Sequence, residues 1–256
     1  VKKVSDICRH HKIFLLLDAT RVSENALFIK EREKGYGRKP LAVIIKEICS
    51  LTDGCTMSSK KDHYVNIGGF LATRNTALFQ KAKELDVLYE GFPTYGGMAG
   101  RDMEALAVGI RESAEESYVS HYIGQVKFLQ RKLRDLGIPV AEPPGAHAVF
   151  VDAKRFLPHI PQKQFPAQTL AAEIYAEGGV RTMERGIVSG QHGKEPYYGL
   201  ELVRVTLPRR VYETAHLAYV AEVIAQVYER RHAIRGLRMT YAPKDLRFFQ
   251  ARFKRM

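Results

Sequence analysis

The run Ile13-Phe14-Leu15-Leu16-Leu17 constrains the fold more than any other stretch of the chain. Five apolar residues in a row, without polar alternation, predict a strand buried on both faces, and such strands belong to parallel sheets covered by helices. Residues 22–34 and 40–49, separated by a Gly-Tyr-Gly turn, and residues 75–86 carry the periodicity and punctuation of those helices. Residues 65–71, Val-Asn-Ile-Gly-Gly-Phe-Leu, predict the return strand, with paired glycines that let another backbone come close. Between the helix ending near Cys49 and that strand, Thr56-Met57-Ser58-Ser59-Lys60-Lys61-Asp62 reads as a polar turn.

The remaining chain has a different rhythm. Residues 101–136 are helical throughout, as one long helix or a bent pair, and Gly137 followed by Pro139 stops them. This segment carries the chain from one domain into another, with the division expected between 1–114 and 115–256. Beyond it come a strand at 147–152, a helix at 166–177 closed by Gly178-Gly179, and a short strand at 180–183. A glycine-rich loop spans 190–199, followed by a strand at 200–207, a helix at 214–231 and a strand at 237–241. This second domain is α+β, and the chain holds no internal repeat or low-complexity segment.

Composition narrows the function classes. With 256 residues, of which 45% are hydrophobic, the chain can bury a sizeable core. The net charge of +12 is spread, with acids between the lysines and arginines, so it does not form the basic stripe that a nucleic acid needs. Only 247–255 is locally basic, and it carries three phenylalanines. Three cysteines, an odd number matching no metal spacing, fit a reducing compartment, and the expected location is the cytoplasm, with no membrane partner. The opening Val1-Lys2-Lys3, without an initiator methionine, predicts that the chain is the C-terminal part of a longer protein.

Five places are candidates for chemistry. Asp18-Ala19-Thr20-Arg21 follows the first strand, and ligand crevices in open α/β sheets lie outside the carboxyl ends of strands. Asp18 is therefore either a site residue or a helix N-cap. Arg21 would stand at a helix start, against the dipole, which hints at a functional reason. A lysine at a strand end beside hydroxyls, such as Lys61 near Ser58, is what pyridoxal phosphate (PLP) requires; the alternative is a solvated turn. Arg204 interrupts an apolar strand and needs an anionic partner, either a substrate carboxylate or an internal acid. Arg185, in Met183-Glu184-Arg185-Gly186, opens a glycine-containing loop and by default is a surface residue. Tyr95, in the aromatic loop 90–98, is either a pocket wall or a packed loop residue.

Taken together, Asp18-Ala19-Thr20-Arg21, Ser58-Ser59-Lys60-Lys61-Asp62, Arg204 and the closing Leu246-Arg247-Phe248-Phe249-Gln250-Ala251-Arg252-Phe253 resemble the β-eliminating lyases over the whole chain. The resemblance is closest to the tyrosine-cleaving, phenol-releasing branch. It implies the type I, aspartate aminotransferase-like fold of PLP enzymes, here the C-terminal part of the large domain plus a smaller α+β domain. It further implies a homotetramer and a bound potassium ion. Lys61 looks like the Schiff-base lysine, with Lys60 and Ser58 beside it, Asp18 like the partner of the pyridine nitrogen, and Arg21 like the contact to the cofactor's phenolic oxygen. Arg204 would bind the substrate carboxylate, and Asn66 would lend a backbone carbonyl to potassium. Arg185 would meet the phenol oxygen, since tryptophan-cleaving relatives carry an apolar residue there, with Met183, Phe248 and Phe249 as walls. His147 matches a histidine near the family's site, with no role assigned. The implied reaction is β-elimination of L-tyrosine to phenol, pyruvate and ammonia. The alternatives are cleavage of tryptophan, or a non-autonomous piece that needs an N-terminal half to complete its site. Two departures from the family pattern are Ser59, where glycine is common, and a shorter loop after Gly190.

Overall fold

The computed structural model describes residues 1–189 and 199–256. The chain forms two compact units, Val1–His121 and Tyr122–Met256, and the division falls inside a helix. The loop expected to be short after Gly190 lies outside the described residues.

In the first unit the order is α1 (Lys2–His10), β1 (Leu16–Asp18), α2 (Val22–Arg32), α3 (Leu41–Ser50), β2 (Gly54–Ser58), α4 (Ser59–Asp62), β3 (Gly69–Thr73), α5 (Thr76–Tyr89) and α6 (Gly100–Glu112). The three strands form one sheet in the order β1-β2-β3, with β1 parallel and β3 antiparallel to β2. Helices α2 and α3 pack their apolar sides together, and Ala26, Leu27, Leu41 and Ile44 are fully buried. Asn75 caps α5 by accepting the Leu78 amide at 2.9 Å, as an N-cap asparagine does.

Three expectations change here. The first strand is shorter than the apolar run and is not buried on both faces: Leu16 is 40% exposed, and Ile13 and Phe14 are exposed too. Among the described residues β1 pairs with β2 alone, so one edge and part of its surface lack a neighbour. The polar stretch Thr56 to Asp62 is not a turn but the end of β2 followed by α4. Backbone pairing on both sides of β2, rather than a side-chain pattern, makes it a strand. The return strand begins at Gly69, not Val65, because positive φ at Tyr64 (57°) and Gly68 (99°) turns residues 64–68 away from extended geometry.

The helical stretch 101–136 is a pair, α6 and α7 (Glu116–Asp135), and Gly137 at φ 74° ends the second helix. The second unit continues with β4 (Ala148–Asp152), α8 (Ala153–Phe156), α9 (Pro166–Gly178), β5 (Met183–Arg185), β6 (Leu202–Thr206), α10 (Thr214–Glu229), β7 (Leu237–Tyr241), α11 (Arg247–Gln250) and β8 (Arg252–Arg255). Short 3-10 turns occupy Gln162–Gln164, Ile187–Ser189 and Arg231–Ala233. An antiparallel sheet runs β4-β6-β5, and β7 pairs with β8. Its core gathers Leu129 and Leu133 of α7, Val149 and Val151 of β4, Leu170 and Ile174 of α9, Val203 of β6 and Ile224 of α10, all essentially solvent-free. The strand expected at 180–183 lies instead at Met183–Arg185, which moves Arg185 from a loop onto a strand end. The locally basic stretch 247–255 forms α11 and β8.

Candidate active site

In the first unit the parallel pairing of β1 and β2 sets Asp18 opposite Thr56, so both strands deliver their carboxyl ends to one edge of the sheet. A continuous hydrogen-bonded path joins the two ends. The Thr20 amide donates to the Asp18 carboxylate at 3.0 Å, the Ser58 amide donates to Thr20 Oγ1 at 3.2 Å, and Lys61 Nζ donates to Ser58 Oγ at 2.7 Å. Lys61 is one helical turn beyond Ser58, which is why its amine folds back onto that hydroxyl. The Thr20 hydroxyl, then its amide, hold the Asp18 carboxyl below the ordinary carboxylate range, and the Lys61 charge adds to this against a small effect of burial. Asp18 is thus kept ionised.

Arg21 sits at the N-cap of α2 in the left-handed region, at φ 71°, a conformation that costs a non-glycine residue about 1–3 kcal/mol. Two acids hold it there. Glu24, only 1% exposed, lies 3.4 Å from the Arg21 guanidinium, and Asp62, equally buried, accepts the Ser23 amide at 3.1 Å. Asp62 is the residue after Lys61, so α4 and the start of α2 are tied together. The roles of Thr20, Glu24 and Asp62 were not foreseen from sequence; the only linear signal was an acid three residues after Arg21.

Lys60 is exposed and lines a different groove, of about 600 Å³, with Gly68, Phe70, Phe79 and Met98. Asn66 is exposed in the turn before β3. Among the described residues no cluster of three or more His, Cys, Asp or Glu is placed to hold a metal ion, and no helix is long and apolar enough to cross a membrane. Tyr95 is exposed in its loop, its ring 6.1 Å from that of Phe92.

In the second unit the register opposes Met183 to Arg204 and Arg185 to Leu202. Opposed residues of an antiparallel pair share a face, so Met183, Arg185 and Arg204 stand on one face of the sheet and Glu184 on the other. A cavity of about 500 Å³ opens on that face, lined by Gln168, Thr182, Met183, Arg204, Phe248 and Phe249 among others. Arg204 is half-buried and its guanidinium donates to Met183 Sδ at 2.7 Å, a weak acceptor across the β5–β6 pair. Phe248 and Phe249 meet edge to face at 5.1 Å on α11. Arg185 is exposed on the same face and is not part of the cavity lining.

Glu184 and Glu201 are each 2% exposed. Burial pushes the Glu184 carboxyl up and the neighbouring Glu201 charge adds to the shift, while hydrogen bonds from Ser189, Val188 and Gly186 oppose it. No sequence signal marked either residue, because an acid in a short strand reads as a solvent-facing position.

Comparison with known proteins agrees with this arrangement. The model of the beta-eliminating lyase family matches residues 1–223. The tyrosine phenol-lyase of Nostoc punctiforme is 55% identical over 99% of this chain and 55% of its own length. The tyrosine phenol-lyases of Symbiobacterium thermophilum and Pasteurella multocida are also 55% identical, over 99% of this chain and 56% of theirs. The chain therefore spans about half the length of the curated relatives it matches. Among solved structures, a serine palmitoyltransferase from S. paucimobilis superposes with a TM-score of 0.58 at 14% identity, covering 91% of this chain and 52% of its own. The Sphingomonas wittichii serine palmitoyltransferase gives 0.59 at 14% identity over 91% and 51%. At that identity the likeness concerns the fold, the α/β type I architecture expected from the sequence. The strand-end Asp18, the lysine of α4 and the arginine of β6 all lie inside the span of the family match, and the chain belongs to the β-eliminating lyases.

Proposed function

We propose that this chain carries cofactor-binding and substrate-binding parts of a PLP-dependent lyase that converts L-tyrosine and water to phenol, pyruvate and ammonia. The observation that carries the reading is the Lys61 amine held by Ser58 at 2.7 Å, on a path of hydrogen bonds leading to an ionised Asp18. An amine, a carboxylate kept charged and a guanidinium fixed at Arg21 are the donor set that a pyridine aldehyde phosphate needs. Lys61, Asp18 and Arg21 would hold the pyridine aldehyde and Ser58 would serve the phosphate side, whereas Lys60, expected beside them, faces the other groove.

PLP, when bound, supplies an electron sink for negative charge at the substrate α-carbon. Asp18 keeps a proton on the pyridine nitrogen, which its low pKa allows. The Lys61 amine, held by the Ser58 hydroxyl, accepts the α-proton. Arg204 grips the substrate carboxylate with its planar fork. Met183, Phe248 and Phe249 wall the side chain, and Arg185 donates to the phenol oxygen as the bond from ring to Cβ breaks.

Asn66 would give a carbonyl to potassium, the assembly would be a homotetramer and the location cytoplasmic. A second reading is carried by the length of the relatives: the chain as given is a non-autonomous piece that needs a further N-terminal segment. The deciding experiment supplies the purified protein with PLP and potassium and offers tyrosine and tryptophan separately. Phenol and pyruvate from tyrosine, with little indole from tryptophan, is the expected result. Indole in excess transfers the assignment to the tryptophan-cleaving branch. No product from either, restored by adding the N-terminal half of a curated relative, favours the non-autonomous piece.

A further inference from the structure

Arg185 lies between a buried glutamate and a glycine, and the geometry around it gives both neighbours a reason. Glu184 points to the opposite face of β5, and its carboxylate doubles forward along the chain: Oε1 accepts the Val188 amide at 3.0 Å and Oε2 the Ser189 hydroxyl at 2.7 Å. Glu201, just before β6, accepts the Ile187 amide at 3.1 Å through Oε1 and the Ala167 amide, at the first turn of α9, at 3.1 Å through Oε2. Three successive donors of the turn Ile187–Ser189 therefore end on two carboxylates.

Those carboxylates close around Gly186. A Cβ there would stand 2.3 Å from Glu201 Oε2 and 2.8 Å from Glu184 Oε1, well inside contact distance, so only glycine fits while both acids keep their places. From the other side Arg247 donates to the Ile187 carbonyl at 2.5 Å, and the next two residues of α11 are the cavity walls Phe248 and Phe249. The turn Ile187–Ser189 is thus the common reference for the strand that carries Arg185 and for the helix that carries the aromatic walls.

Two buried carboxylates are a costly way to brace a turn, since each loses hydration and they repel one another. Apolar side chains would pack the same space. A carboxylate has two acceptor oxygens and can take two donors at once, and so fixes the backbone at Arg185, whose long side chain magnifies any tilt of a three-residue edge strand. We propose that Glu184 and Glu201 form a carboxylate clamp that positions Arg185, and so act as positioning residues for the choice of leaving group. This rests on the reading of Arg185 as the phenol-contacting residue.

The test uses the PLP-loaded protein with tyrosine and with a β-substituted amino acid whose leaving group is small and needs no hydrogen bond. Glu201→Ala is expected to lower kcat/KM for tyrosine by about tenfold or more while the second substrate changes about twofold or less, a selective loss of transition-state contact. Glu201→Gln, which keeps one oxygen acceptor and the volume, should show the same split with a smaller loss, and replaces the alanine variant if that fails to fold. Equal losses on both substrates, or none, overturn the proposal. Hydrogen exchange at the Ile187 and Val188 amides separates this failure from that of the lyase reading. If the unmodified protein releases no phenol even with the N-terminal half of a curated relative added, the lyase reading has failed and exchange alone decides the clamp. Amides protected in the unmodified protein and opened in Glu201→Ala, with the rest of α9 unchanged, uphold it; unprotected amides overturn it.

Discussion

The Lys61 amine has a hydroxyl for a partner: Ser58 Oγ, at the end of β2, accepts from the amine at 2.7 Å and so fixes where it stands. Lys61→Ala is expected to abolish phenol release, and near-normal turnover by that variant would remove Lys61 from its role. Arg185→Ala should depress turnover of tyrosine far more than that of a substrate with a small, good leaving group; parallel losses would refute its contact with phenol. Glu184 makes a statement about pH. Its folded pKa is raised above the ordinary value of 4.5, so the folded state binds a proton that the unfolded state has released. Its contribution to stability is fully present below pH 4.5 and is lost as pH rises through the raised value. Glu184→Gln should flatten that decline in urea denaturation curves measured across the range; an unchanged slope would contradict the shift.

Helix α4 is four residues long and cannot hold itself, so its position depends on what packs against it. The closest support is α6, where a Cβ at Gly109 would lie 1.8 Å from the His63 carbonyl oxygen at the end of α4. Gly109→Ala must push the two apart. Overpacking of this kind costs about 1–3 kcal/mol. Both a lower thermal midpoint and weaker PLP binding are expected, because the displaced element carries Lys61; a variant with unaltered cofactor affinity would show that α4 moves independently of α6. Elements such as α4 and β2 escaped the sequence reading for a related reason. Gly54–Ser58 has neither an apolar run nor clear alternation, and becomes a strand because β1 and β3 hydrogen-bond to it from both sides. Val65 to Leu71 has good strand composition but is preceded by positive φ at Tyr64 and interrupted by it at Gly68, which composition does not register. The helices, long enough for their periodicity to speak, were legible to within a few residues.

Over the whole molecule each unit has its own core, and the second is the richer, with helices α7, α9 and α10 burying leucine, isoleucine and valine against one sheet face. Leu170→Ala, at a fully buried site on α9, should cost about 2–5 kcal/mol in chemical denaturation, a loss set by the cavity it leaves. A cost under about 1 kcal/mol would mean that the site collapses freely or that α9 is not part of the core. The linear order was enough for the α/β class, the strand-end Asp18, the lysine pair and the arginine within β6, because periodicity, punctuation and runs of quoted residues are local properties. Packing alone assigned Thr20 as the link between Asp18 and Ser58, brought Asp62 to the Ser23 amide at the start of α2, and wrapped Glu184 and Glu201 around Gly186. Each of those arrangements is a meeting of residues from different elements, with an energy that depends on distance and burial, and neither quantity is written in the order of the chain.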